Sequence, residues 1–235
     1  MNFFKKVNKN NLVNRQSIEQ CKNESGAFIV KIDSYLNKDG TFDYDKYKEI
    51  QTLGNKLKIE NVWVLEENIM FLANYIKSKQ EFTSFGICHG TRRGKEQEWF
   101  NKYLNCNVIG TEISDNANDY PNTIQWDFHE IKEEWISNVD FIYSNSFDHS
   151  FNPERCINNW IKCLKPNGLC ILEHSDYHGV KGVDDLDPFG AELIIMPYLI
   201  LKWSKGMFAV TDIIKAPLKS PSVKELDFIV IKKLF

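Results

Sequence analysis

The 235-residue sequence predicts an α/β protein built on a mostly parallel sheet with helices on both faces. Three observations carry that prediction. From about residue 62 to residue 175, short runs of β-branched and aromatic residues alternate with segments of helical periodicity. Within 82–113 a β-rich run, a glycine-bearing turn, an amphipathic segment and a second β-rich run carrying Glu112 follow one another. Two further β-rich runs, Phe208 to Ile214 and Leu226 to Lys232, come last with no helix between them, which calls for an antiparallel addition at one sheet edge.

Taken in order, residues 1 to about 26 are polar, rich in Asn and Lys and without periodicity, and predict a weakly ordered or surface-docked arm. Phe28 to Ile32 reads as a short strand, and Asn37-Lys38-Asp39-Gly40 as a turn. Tyr44 to Leu57 reads as a helix started by Asp43 or Asp45. A second helix over Val62 to Ser78 places Val64, Leu65, Ile69, Leu72, Ala73 and Ile76 on one face. Residues 1–60 are thus expected to be a partly helical extension, a lid or subunit contact, before a domain over 61–235. Phe82 to Cys88 is the first strand of that domain, Lys95 to Leu104 its helix, and Val108 to Ile113 the next strand. Thr123 to Phe128 and Val139 to Ser144 read as strands, separated by a short helix at Glu130 to Ile136. Pro153 suits a first helical position, and the helix it opens stops at Lys165-Pro166-Asn167-Gly168. Leu169 to His174 is a strand, and 175–206 is an excursion with a helix around Ala191 to Ser204.

Composition excludes several classes. No apolar run is long enough to span a membrane, and the first residues lack the apolar core of a signal peptide. Net charge is −3, with arginine only at 15, 92, 93 and 155, so nucleic acid is not an expected partner. Six cysteines without CxxC spacing, mostly inside apolar segments, predict buried reduced thiols and a cytoplasmic protein.

Glycines at a strand–helix junction let backbone N–H groups approach a ligand, and an acid at the next strand's tip suits ribose hydroxyls. The turn misses the G-x-G-x-x-G of dinucleotide sites. With Gly86, Cys88 and Gly90 at every second position after Ser84, it resembles the first motif of class I S-adenosylmethionine-dependent methyltransferases, an acid followed by three alternating glycines. Ser84 then stands at the acid and Cys88 at the middle glycine. The passage VDFIYSNSFDHSFNPERCINNWIKCLKPNGLCILEHS, Val139 to Ser175, is similar to the fourth-to-fifth-strand passage of that family. The resemblance covers about two thirds of the chain, implies a Rossmann-like seven-stranded sheet, and extends loosely to bacterial surface-polysaccharide sugar O-methyltransferases.

The resemblance implies the following site. Gly86, His89, Gly90 and Thr91 would lie under the methionine part of S-adenosylmethionine, and Glu112 would take the ribose hydroxyls. Asp127 and Phe128 would meet the adenine, and Ser144 and Asn145 would flank the sulfonium. All five histidines fall between His89 and His178, four of them at or near predicted strand tips. A sugar hydroxyl is a poor nucleophile at neutral pH, so a His–Asp pair is expected as base: His149 with Asp148 or His174. Asp176, Tyr177 and His178 open the excursion expected to hold the small-molecule acceptor, a sugar. Competing readings are a Mg²⁺-dependent catechol-type enzyme using Asp148 and Asp176, a nicotinamide-dependent oxidoreductase, and a non-catalytic binding module. A homodimer is the expected assembly, if the protein self-associates at all.

Overall fold

The computed structural model describes residues 27–235, so the expectation of an N-terminal arm over 1–26 lies outside the described residues. The strands are β1 (Phe28–Val30), β2 (Phe85–His89), β3 (Asn107–Glu112), β4 (Thr123–Gln125), β5 (Val139–Ser144), β6 (Leu164–Ser175), β7 (Phe189–Ala191), β8 (Phe208–Lys215) and β9 (Leu226–Lys233). The helices are α1 (Tyr44–Leu57), α2 (Glu66–Lys79), α3 (Lys95–Leu104), α4 (Pro153–Cys163) and α5 (Met196–Ser204). Seven strands form one sheet in the order β4-β3-β2-β5-β6-β9-β8. β2 to β6 pair in parallel, and β9 runs antiparallel to both β6 and β8.

Period-two alternation explains why both faces are covered. Ile87, Ile142, Cys170, Leu172, Ile229 and Ile231 face one core with Trp160 of α4 and Leu199, Ile200 and Trp203 of α5. Cys88, Phe141, Tyr143, Ile171, Phe228 and Val230 face the other, with Ile69, Leu72 and Ile76 of α2 and Phe100 of α3. Asp43 caps α1 by accepting from the Lys46 N–H at 3.0 Å. Asn105 ends α3 in the left-handed region at φ 53°. At the amino end of the sheet, Asp140 accepts from the Ser84 and Phe85 N–H groups, the Ser84 hydroxyl and Lys165, at 2.7–2.9 Å. The acid that opens β5 is therefore a staple remote from the strands' carboxyl ends.

Several expectations shift: the short helix expected over Glu130 to Ile136 is a single 3₁₀ turn at Glu133–Trp135, the helix expected from Ala191 starts at Met196, and the strand expected from Phe82 starts at Phe85. The helix expected over Val62 to Ser78 starts only at Glu66, after an extended segment. The run expected to reach Phe128 is a strand only to Gln125, because Asp127 turns the chain by accepting from the His129 N–H at 2.9 Å. The excursion after β6 contains β7, which pairs with β1 in a separate two-stranded sheet, Phe28 opposite Ala191. That pairing, with hydrogen bonds from Ser34, Tyr35 and Gln51 to Asp185 and Leu186, ties residues 28–51 to the excursion after β6. Among the described residues no helix is long and apolar enough to cross a membrane.

Candidate active site

The strand order reverses between β2 and β5, and a ligand crevice in an open α/β sheet lies at that point, outside the carboxyl ends. A cleft of about 550 Å³, open mouth included, occurs there. Gly90, Arg92, Glu112, Asp127, Phe128, Ser146 and His149 form its floor, and Tyr47, Gln51 and Asn55 of α1 its roof.

The glycine turn has a different register from the one expected. Gly86 and Cys88 are paired residues inside β2; a Cβ at Gly86 would lie 2.3 Å from the Phe141 ring on the neighbouring strand β5, so this glycine makes room for that ring within the sheet. The turn itself is Gly90-Thr91-Arg92-Arg93-Gly94, with positive φ at Gly90 (73°), Arg92 (46°) and Gly94 (76°). Glycine-like conformations thus recur at every second residue, with Arg92 in the middle place and Cys88 in the place of the acid. A Cβ at Gly90 would stand 2.6 Å from the Cβ of Ser146, so only glycine fits between the turn and the loop after β5. The Gly90 and Thr91 N–H groups both donate to the Thr111 carbonyl, at 2.9 and 3.1 Å. The Arg92 N–H donates to Glu112 Oε2 at 3.0 Å and the Ser114 N–H to Oε1 at 3.2 Å. Two backbone donors therefore hold the Glu112 carboxylate at the cleft wall, with lone pairs left for a ligand.

The other expected cofactor residues divide. Asp127 and Phe128 line the cleft. Burial would raise the Asp127 carboxyl, but hydrogen bonds from His129 and Tyr44 outweigh it and hold it below its ordinary value. The Tyr44 hydroxyl donates to Asp127 Oδ2 at 2.8 Å, so α1 already uses one oxygen of this acid. His89 turns away into the core: its ring stacks on Trp160 at 4.6 Å, its Nδ1 meets Thr111 at 2.8 Å, and burial drops it to about 3. Ser144 is fully buried and donates to the His89 carbonyl at 3.0 Å, while Asn145 Oδ1 accepts from Ser146 at the same distance. Ser146, which sequence reasoning passed over, is the residue of that loop on the cleft surface.

His149 sits in the short turn after β5 with its ring in the cleft. Its expected partners are replaced. His174 is tied to β7, its Nε2 donating to the Ala191 carbonyl at 2.9 Å, and burial lowers it to about 4. Asp148 points to His178, Oδ2 to Nε2 at 3.5 Å, with Oδ1 buried and unpartnered among the described residues. The groups against the His149 Nδ1 are instead Gln51 Oε1 at 2.9 Å and Asp187 Oδ1 at 3.4 Å. The Gln51 amide is oriented by its Nε2, which donates to the Leu186 carbonyl at 2.8 Å. Two acceptors thus face Nδ1, an arrangement that orients this nitrogen as a donor and leaves Nε2 as the ring's other edge. Asp187 is presented by an Asp184 turn, whose Oδ1 accepts from the Leu186 and Asp187 N–H groups. Asp187 is one of the acids the sequence places in the excursion, but nothing in the sequence pairs it or Gln51 with His149; their meeting depends on α1 and the excursion converging from distant parts of the chain.

His178 is buried and lowered to about 4 by burial, and its Nδ1 accepts from the Ser175 N–H at 2.7 Å. Asp176 accepts from the Lys224 and Glu225 N–H groups at 2.8 and 3.3 Å, and the Tyr177 hydroxyl donates to Ser222 at 3.1 Å. Those two residues therefore lock the excursion to the β8–β9 connection. The carboxylates at metal-ligand spacing are accordingly not Asp148 and Asp176; Asp148, His149 and Asp187 offer ligand atoms within 4.8 Å of one another.

Residues 87–172 match the family model described as "Methyltransferase domain". No curated protein matches the sequence. Among solved structures, the 1,6-didemethyltoxoflavin-N1-methyltransferase of Burkholderia thailandensis, with S-adenosylhomocysteine bound, is 11% identical with a TM-score of 0.62. That match covers 81% of this chain and 90% of the other. The N-methyltransferase NodS of Bradyrhizobium japonicum, also with S-adenosylhomocysteine, is 10% identical at a TM-score of 0.57, covering 78% and 98%. The plantazolicin methyltransferase BpumL, again with that ligand, is 15% identical at 0.57, covering 82% and 91%. The sheet order and these matches together give the chain the α/β fold that those methyltransferase structures share, with the methyltransferase-domain model matching residues 87–172 within it.

Proposed function

We propose that the protein transfers a methyl group from S-adenosylmethionine to a hydroxyl of a small acceptor, with a sugar as the substrate class. One observation carries the reading: Glu112, fixed by two backbone N–H groups, and His149, with two acceptors on its Nδ1, line the same cleft beside the one-glycine gap at Gly90. The donor set fits the cofactor. Glu112 offers acceptors for vicinal ribose hydroxyls, Phe128 an apolar ring and Asp127 an acceptor for an exocyclic amine. Bound there, S-adenosylmethionine supplies an electrophilic methyl group. The chain's own work is alignment and proton removal. His149 Nε2 takes the hydroxyl proton, and Asp187 and Gln51 steady the ring through Nδ1–H. Residues 44–57 roof the site, tied down through Tyr44 to Asp127, Tyr47 to the His149 carbonyl at 3.0 Å and Gln51 to His149. The proposed role of that segment is a lid that excludes water. The binding residues for the acceptor are proposed along Asp184 to Asp187, which adjoin His149, rather than at Asp176 or Tyr177.

A second reading, a divalent-ion-dependent O-methyltransferase, is favoured by the spacing of Asp148, His149 and Asp187. One experiment separates the two. Purified protein is incubated with S-adenosylmethionine labelled on its methyl group and a panel of sugars and nucleotide sugars, with and without EDTA. Label in a hydroxyl-bearing product that EDTA leaves unchanged, and that His149→Ala removes, supports the base reading. Loss on EDTA treatment supports the ion reading. Transfer to nitrogen acceptors alone refutes the hydroxyl assignment.

A further inference from the structure

One stripe of α1 faces the cleft, and its state changes along its length. Tyr47, Gln51, Asn55 and the capping residue Lys58 recur at helical spacing and all line the cleft. The first two are engaged: the Tyr47 hydroxyl donates to the His149 carbonyl, and Gln51 meets the His149 ring. The next two are not. Asn55 is 9% exposed, and its amide Oδ1 is buried with no hydrogen-bond partner among the described residues. Lys58 forms no ion pair among the described residues, whereas Lys56, which does not line the cleft, reaches Asp115 at 2.7 Å.

The turn after α1 brings a second cation to the same end. The Asn61 N–H donates to the Lys58 carbonyl at 2.9 Å, and the Asn61 carbonyl accepts from Arg92 Nη1 at 2.8 Å. Arg92 thus gives one of its N–H donors to the backbone and, like Lys58, pairs with no acid among the described residues. Its neighbour Arg93, outside the cleft, binds Glu60 at 2.8 Å. In both segments the cation outside the cleft is paired and the cation lining it is not. The acids of the cleft are engaged elsewhere, Glu112 by two backbone N–H groups and Asp127 by His129 and Tyr44. Two unpaired cations beside an unsatisfied buried amide are completed by an oxyanion with a hydroxyl next to it.

We propose that the acceptor carries an oxyanion, a phosphate ester or a carboxylate, that Lys58 and Arg92 clamp it, and that Asn55 Oδ1 accepts from a neighbouring hydroxyl. This rests on the methyl-transfer reading above and narrows its substrate class from sugars to anionic sugars. Gln51, which meets the base, and Lys58 are seven residues apart, about 10 Å of helix, a reach that one hexose and its phosphate cover. The acids Asp184 to Asp187 then take hydroxyls at the reacting end of the acceptor and the cations its charge at the other.

The test is isothermal titration calorimetry of protein saturated with S-adenosylhomocysteine, using pyrophosphate and glucuronate as anionic probes and glucose as the neutral control. At least one anion is expected to bind at least tenfold tighter than glucose, pyrophosphate marking a phosphate-bearing acceptor and glucuronate a uronic one. Lys58→Ala is expected to weaken that anion about tenfold, Lys58→Arg to restore it, and both to leave the affinity for S-adenosylhomocysteine within twofold of wild type. Neither anion binding better than glucose would overturn the proposal. So would an anion that displaces S-adenosylhomocysteine, or a Lys58→Ala protein that loses S-adenosylhomocysteine affinity as much as anion affinity, because the cations would then serve the cofactor's own carboxylate. No heat with S-adenosylhomocysteine itself would overturn the cofactor reading as well.

Discussion

Glu96→Gln in the ligand-free protein should be more stable than wild type at alkaline pH and indistinguishable from it near pH 4. Burial raises the Glu96 carboxyl from 4.5 to about 8. The folded state therefore keeps a proton that the unfolded state gives up near its ordinary value. Stability is highest below the unfolded value and falls as pH rises through about 8, above which the folded protein carries the full cost of a buried charge. Three to four pH units at about 1.4 kcal/mol each set a ceiling near 5 kcal/mol. Local relaxation and water penetration offset part of that, so about 2 kcal/mol is expected above pH 8.5, a rise in Tm of roughly 4–8 °C for a domain this size. Glutamine preserves shape and one acceptor, so the gain isolates the charge. Thermal unfolding followed by circular dichroism at pH 4.5 and pH 9 reads it directly. A Tm difference that is the same at both pH values would refute the reasoning, because it would mean Glu96 is ionised and satisfied in the empty protein.

Other consequences follow from the same geometry. Gly90→Ala places a Cβ 2.6 Å from that of Ser146 at φ 73° and should cost about 2–3 kcal/mol and weaken S-adenosylhomocysteine binding at least tenfold, by denaturation and calorimetry. His149→Ala should lower kcat about 100- to 1000-fold while S-adenosylhomocysteine affinity stays within threefold, and Asp187→Asn should lower kcat by about tenfold. Equal activity in His149→Ala would remove it as the base. Asp140→Ala strips the acceptor from four donors at the far end of the sheet and should cost about 3 kcal/mol in urea unfolding without changing ligand affinity.

Local signals explain why much of this architecture is legible in the sequence. α1 begins and ends as its pattern predicts because Asp43 is a strong cap, and α3 because a left-handed Asn105 stops it. The alternating strands expose their own two-residue period, and the helix-free interval between Phe208 and Lys232 announces antiparallel pairing. What is not legible depends on contacts between distant segments. Gly86 and Gly90 look alike in a string, yet one is required by the Phe141 ring and the other by Ser146. The three-residue strand β7 has no pattern of its own inside the excursion and forms by pairing with β1, the strand legible from Phe28. The same holds for the site. Glu112 is predictable from its place at a strand tip, whereas the partners of His149 come from residues 51 and 187. Clustered histidines mark the right region, but four of them, His89, His129, His174 and His178, are buried hydrogen-bonding groups, and only the packed structure separates them from His149.

The most direct test of the central claim is calorimetric titration of wild-type and Glu112→Ala protein with S-adenosylhomocysteine. Micromolar or tighter binding in wild type, weakened at least 100-fold when the carboxylate proposed to meet the ribose hydroxyls is removed, is the predicted result. Absence of binding in wild type, or equal binding by the two proteins, would contradict the account.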